Sequence, residues 1–181
     1  MSVLQSDFIQ AKRLHDQGVD GNKQAVEDAY QMLKRLQQSN PHDPLIKAYY
    51  GSIITLVGRD ASNNKERIRV ANEGLKVLDQ VVQQYPNHTD VRFLSAYVNS
   101  RIPEKYFKRT EKAIEDLEHL LHLYEKDRSI FSEDQYEDIL YELSSAYKRN
   151  KQSKQAKSIK EQLLNRNPDY EKLRKKRKKE G

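Results

Sequence analysis

Residues 28–41 read DAYQMLKRLQQSNP, residues 73–86 read EGLKVLDQVVQQYP and residues 155–168 read QAKSIKEQLLNRNP. Laid over one another, each copy has a small residue at its second position (Ala29, Gly74, Ala156). An apolar residue follows seven positions on (Leu36, Val81, Leu163), and a proline closes the copy at twelve (Pro41, Pro86, Pro168). Leu33 and Leu78 occupy the fourth position in two copies, where the third has Lys160. A spacing of four and seven puts these side chains on one helical face, and the proline cannot continue the helix. Self-similarity on this scale is the mark of stacked supersecondary units, each of which buries its apolar face only against its neighbours.

The rest of the chain agrees with a helical array. Its 181 residues are 33% charged and 36% hydrophobic, with only six glycines and five prolines. That is too few turn-formers for a many-stranded β fold or a disordered tract. Period-two alternation of β-branched residues, the strand signal, is missing. Cysteine is absent, which excludes disulfides and thiolate metal sites. The opening MSVLQSDFIQAKRL lacks the apolar core of a signal peptide, and no run approaches the roughly 18 apolar residues of a membrane span. These features predict a soluble, cytoplasmic protein.

The net charge of +6 is unevenly placed: residues 169–181, DYEKLRKKRKKEG, hold seven Lys/Arg against three Asp/Glu. The body before them is left with a net charge of only +2.

Periodicity and breakers predict helices over residues 3–17, 22–39, 44–57, 63–85, 90–101, 104–125, 133–149 and 153–166. Gly18, Gly21 and Gly58 are expected to act as stops. Asp43 before Pro44 reads as an N-cap with proline at the first helical position. Asn63 with Glu66, and Ser132 with Gln135, have capping-box spacing. The stretch 59–69 reads as an insertion. Asp169 is placed to cap a last helix that frays into the lysines of a flexible basic tail, residues 169–181.

These residues resemble the tetratricopeptide repeat family. That family's unit carries a large apolar residue, a small residue and an aromatic on its first helix, then small, apolar, small and proline on its second. The last unit matches best, with Leu140, Leu143–Ser144, Tyr147, Ala156, Leu163 and Pro168. The second offers Tyr50–Gly51, Ile54, Gly58, Gly74, Leu78 and Pro86, and the first Ala11, Leu14, Ala29, Leu33 and Pro41. The third has Ala96, Ala113, Leu117 and Leu120 but no closing proline. The segments AYYGSIITLVGRDA and RIPEKYFKRTEKAIEDL also resemble a small group of bacterial repeat proteins. Two departures stand out. Successive small residues at 29, 74, 113 and 156 lie 45, 39 and 43 residues apart, against about 34 in the family's standard unit. Lys47 and Arg92 replace the opening aromatic. Units of about 40–47 residues leave a HEAT-like array as the alternative. The resemblance implies an all-α, right-handed α-solenoid of about four units, over residues 3–41, 44–86, 89–125 and 133–168. In it Gly51, Ala96 and Ser144 bring the two helices of a unit together, and Ala29, Gly74, Ala113 and Ala156 bring successive units together.

The resemblance further implies a concave groove that binds a peptide. Its lining residues map onto Tyr49, Ser52 and Thr55, then Phe93, Tyr97 and Arg101, then Tyr141, Ser145, Lys148 and Arg149. Aromatic anchors beside cations suit a segment with apolar and acidic side chains. The Lys/Asn set with which some members hold a terminal carboxylate is missing, since Ala48 and Ser52 stand at its sites. The alternative partner is nucleic acid, bound electrostatically by Lys172, Arg174, Lys175, Lys176, Arg177, Lys178 and Lys179 of the tail. A solvated tail without a ligand is the plainer reading of that run. The exposed apolar ends of a solenoid also allow self-association. No phosphate loop, nucleophile elbow or cofactor motif is present. His119 and His122 fall on the solvent side of their helix, and His15, His42 and His88 read as isolated residues. The sequence therefore predicts a non-catalytic interaction or scaffolding protein, without metal or cofactor.

Overall fold

The computed structural model describes residues 3–180, with side chains through Lys175. The described residues form ten α-helices and no strand. They are α1 (Val3–Val19), α2 (Lys23–Ser39), α3 (Pro44–Asp60), α4 (Asn64–Gln84), α5 (Thr89–Arg101), α6 (Glu104–Phe107), α7 (Thr110–Lys126), α8 (Glu133–Arg149), α9 (Ser153–Arg166) and α10 (Tyr170–Glu180), with a 3₁₀ turn at Arg128–Ile130. The chain divides within α5 into two compact units, residues 1–98 and 99–181.

The repeated segments become α2, α4 and α9, and they end alike. At Asn40, Tyr85 and Asn167 the backbone leaves helical geometry, and each N–H donates to the carbonyl four residues back, at Leu36, Val81 and Leu163. Each of these residues precedes a proline, whose ring disfavours helical conformation in the residue before it. Ala29, Leu33, Leu36, Gly74, Leu78, Val81, Ala156 and Leu163 are all buried.

In the first unit α1 packs on α2, α2 on α3 and α3 on α4, with α1 also touching α3. Ala11, Val26, Ala29, Leu33, Ile46 and Ile53 form one apolar cluster between α1, α2 and α3. Asp43 caps α3 as expected, accepting from the N–H groups of Leu45 and Ile46 at 2.9 Å. The α3–α4 interface is set by glycine. A Cβ on Gly74 would lie 2.5 Å from the Gly51 carbonyl oxygen, and one on Gly58 2.6 Å from the Ala71 nitrogen. Gly74 thus meets Gly51 inside one helix pair rather than joining successive units. Ser144 repeats the arrangement in the second unit, its hydroxyl donating to the Ala156 carbonyl across α8 and α9 at 2.9 Å.

Gly18 and Gly58 do not stop their helices; both are buried inside them, where a side chain would strike Val26 or α4. Only Gly21, at φ +104°, makes a turn. The turn after α8 has the same hydrogen bonding (Asn22 N–H to Gln17 O, Gln152 N–H to Tyr147 O), with Lys151 at φ 59° in place of glycine. The expected insertion at 59–69 is mostly helix, because α3 runs to Asp60 and α4 starts at Asn64. Asn63 accepts from the Glu66 N–H, one half of the expected capping box, while the Glu66 carboxylate pairs with Arg69 instead.

In the second unit α7 packs on α8 and α8 on α9. The single helix expected over 104–125 is broken at Lys108, which has φ 51°. Glu104 explains the break. Its carboxylate accepts from the Arg109 N–H (2.9 Å), the Thr110 N–H (2.8 Å) and the Thr110 hydroxyl (2.7 Å), capping α7 from the preceding turn. Burial acts to raise the Glu104 pKa, but these hydrogen bonds outweigh it and hold the carboxyl below its usual range. The capping box of Ser132 and Gln135 opens α8.

Candidate functional site

The first-unit groove candidates are packing residues. Ser52 and Thr55 are buried, and the Thr55 hydroxyl donates to the Ser52 carbonyl at 2.7 Å. Half-buried Tyr49 meets Phe8 edge-on at 5.5 Å and His15 at 5.1 Å, both from α1. Burial, then the charges of Asp16 and Asp90, push the Tyr49 hydroxyl up to about 12. Tyr49 and Ser52 are covered by α1 and Thr55 lies against Gly74 of α4, so these three expected groove residues do not share an open face.

His15 is correspondingly not an isolated turn residue. Its Nε2 hydrogen-bonds Ser52 Oγ at 2.8 Å, and its Nδ1 lies 3.3 Å from the Asp16 carboxylate. The Asp–His–Ser order resembles a catalytic triad in connectivity. His15 and Ser52 are only 3% and 2% exposed, however, so no substrate reaches the hydroxyl. The cluster is a polar lock between α1 and α3.

Phe93 and Tyr97 are half-buried on α5. Arg101 donates to the Glu142 carboxylate at 2.9 Å, and Arg149 donates to the Ser100 carbonyl, so both cations are held within the second unit.

The remaining candidates come together. Tyr141, Ser145 and Lys148 of α8 line a cleft of about 480 Å³ with Ser153, Ala156, Lys157, Lys160 and Leu163 of α9 and Glu171 of α10. The α8 residues recur at spacings of three and four, so one helix face presents them all. Leu163 and Ala156 give the cleft an apolar lining beside three lysines and one carboxylate, with Lys160 3.4 Å from Glu171 and Lys157 3.7 Å from Glu161 of its own helix. Lys148 is exposed and has no carboxylate partner among the described residues. Sequence reasoning missed Lys157 and Lys160, although a signal was present. Lys160 sits where the other repeats bury Leu33 and Leu78, and the position that breaks the pattern is the one that faces the cleft.

The last helix expected after Asp169 is present and runs from Tyr170 to Glu180. Tyr170 is fully buried; its hydroxyl donates to Asp138 at 2.5 Å and its ring lies 5.5 Å from Tyr141. The Arg174 guanidinium sits 4.0 Å over the Tyr141 ring and 3.4 Å from Glu142. Lys172 pairs with Asp169 at 2.8 Å, and Lys175 is exposed. The side chains of Lys176, Arg177, Lys178 and Lys179 lie outside the described residues.

Among the described residues no helix is long and apolar enough to cross a membrane. No group of three or more His, Asp or Glu residues is placed there to hold a metal ion.

No family model and no curated protein matches the chain. Solved structures of MamA share its fold. The structure of MamA 41-end from Desulfovibrio magneticus RS-1 superposes with a TM-score of 0.56 at 17% identity, covering 88% of this chain and 77% of that one. The MamA RS-1 ArsTM double mutant gives the same score and identity over 88% and 76%. The likeness establishes the fold, an all-α helical-repeat solenoid.

Proposed function

We propose that this protein is a non-catalytic interaction module whose recognition site is the cleft between α8, α9 and α10, and that its ligand is a peptide segment carrying acidic and apolar side chains. The observation that carries the reading is the convergence of Tyr141, Ser145 and Lys148 with Lys157 and Lys160 around one concave, partly apolar space. Apolar burial supplies affinity there, and the lysines supply selection by charge. The helical-repeat fold supports a scaffolding role in general. Arg174 is held by Glu142 and the Tyr141 ring, whereas Lys148 of the cleft is exposed and has no carboxylate partner among the described residues, which favours the cleft over the described part of the tail.

The test is fluorescence anisotropy with labelled peptides that alternate leucine with glutamate, glutamine or lysine, read against full-length protein. The glutamate series is expected to bind selectively. The double substitution Lys148→Glu and Lys157→Glu is expected to weaken it about tenfold or more through like-charge repulsion. Equal binding of all three series, or indifference to the double substitution, refutes the reading. Binding that survives the double substitution but collapses with salt and with removal of residues 176–181 assigns the interaction to the tail instead.

A further inference from the structure

We infer that Glu171 is a built-in competitor for the cleft, holding at Lys160 the place that a ligand carboxylate takes. The inference rests on the cleft being the recognition site. Glu171 is the only acidic side chain among the residues that line it, and its carboxylate lies 3.4 Å from the Lys160 ammonium. The pair is open to solvent, with the two side chains 55% and 54% exposed. An exposed ion pair of this kind contributes little and exchanges readily.

Glu171 is not what holds α10 in place. Tyr170, buried against Tyr141 and bonded to Asp138, and Arg174, over Tyr141 and beside Glu142, do that. Anchor and competitor are therefore separate side chains one and three residues apart on the same helix. The Glu171 side chain can leave Lys160 by rotating about its own bonds while α10 stays docked. A ligand with a carboxylate at that point gains Lys160 only by displacing Glu171. A ligand without one leaves the internal pair intact and gains nothing from it. Glu171 thus lowers the affinity of a ligand that places a carboxylate at Lys160 by the strength of one exposed ion pair, and narrows that ligand's advantage over one without such a group.

The experiment measures the leucine–glutamate peptide by anisotropy on full-length wild type, Glu171→Gln, Lys160→Gln and the double variant, with circular dichroism to confirm equal helix content. Glu171→Gln is expected to tighten binding about two- to fivefold, the range of one exposed ion pair. In the Lys160→Gln background the same change is expected to have no effect. Wild type that binds with no gain from Glu171→Gln overturns the competition and leaves the cleft reading intact. A gain that persists without Lys160 also overturns it, since Glu171 then acts only through overall charge. No binding by any variant refutes both readings, whereas binding by Glu171→Gln alone establishes both.

Discussion

At the scale of single residues, the buried tyrosines carry a measurable consequence. Burial and the nearby charges of Asp16 and Asp90 raise Tyr49 to about 12, and burial with the hydrogen bond to Glu118 raises Tyr147 to about 12. In the unfolded chain both titrate near 10. Between about pH 10 and 12 the folded protein therefore binds more protons than the unfolded one, and stability falls as pH rises. Their contribution is fully present below about pH 10 and lost as pH passes the folded values. With eleven tyrosines and no tryptophan, ultraviolet absorbance reads the titration directly. Tyr49 and Tyr147 are expected to ionise last, together with unfolding, after Tyr50 and Tyr136, which burial also raises, and in Tyr49→Phe one late phenol disappears. A single uniform transition near pH 10 in the folded protein refutes the assignment. Neither shift was legible in the sequence. Tyr49 read there as a groove residue, because nothing local says that α1 lies across it.

At the scale of helices, the repeated ends of α2, α4 and α9 show how much is written locally. A proline, the residue before it and an apolar residue four positions earlier place the same termination three times. The α3–α4 contact is different in kind, since Gly51 and Gly74 lie far apart in sequence and function only as a pair. Gly74→Ala puts a methyl group against the Gly51 carbonyl and Thr55. It is expected to cost about 1–3 kcal/mol as overpacking, despite alanine's better helix propensity. Urea denaturation checks this; a variant as stable as wild type would mean that the two helices are further apart than described. The break between α6 and α7 was equally out of reach. The apolar spacing of 104–125 suits one helix, but a single carboxylate from Glu104 takes three donors and starts α7 afresh.

At the scale of the molecule, the C-terminal segment changes meaning. By composition residues 169–181 are a solvated basic run, and a helix so polar gains little by forming alone. Tyr170 ties it down. Tyr170→Ala is expected to undock α10 at a cost on the order of 3 kcal/mol, bounded by the docking energy of that helix. Circular dichroism should record the lost helix. Hydrogen exchange should rise in α10 and along the face of α8 bearing Asp138 and Tyr141, and unchanged protection there would contradict the docking. The sequence alone determined that the fold is helical, where most of its helices begin and end, and which small and apolar residues of the repeated segments are buried. Caps, prolines and a 3.6-residue period act within a turn or two of the chain and are legible there. Only the tertiary structure decided that Gly74 meets Gly51, that α1 closes over Tyr49 and Ser52, and that Lys160 opens onto a cleft roofed by α10. Those outcomes depend on the register with which one helix surface seats on another, which is fixed by side chains distant in sequence and close only after folding.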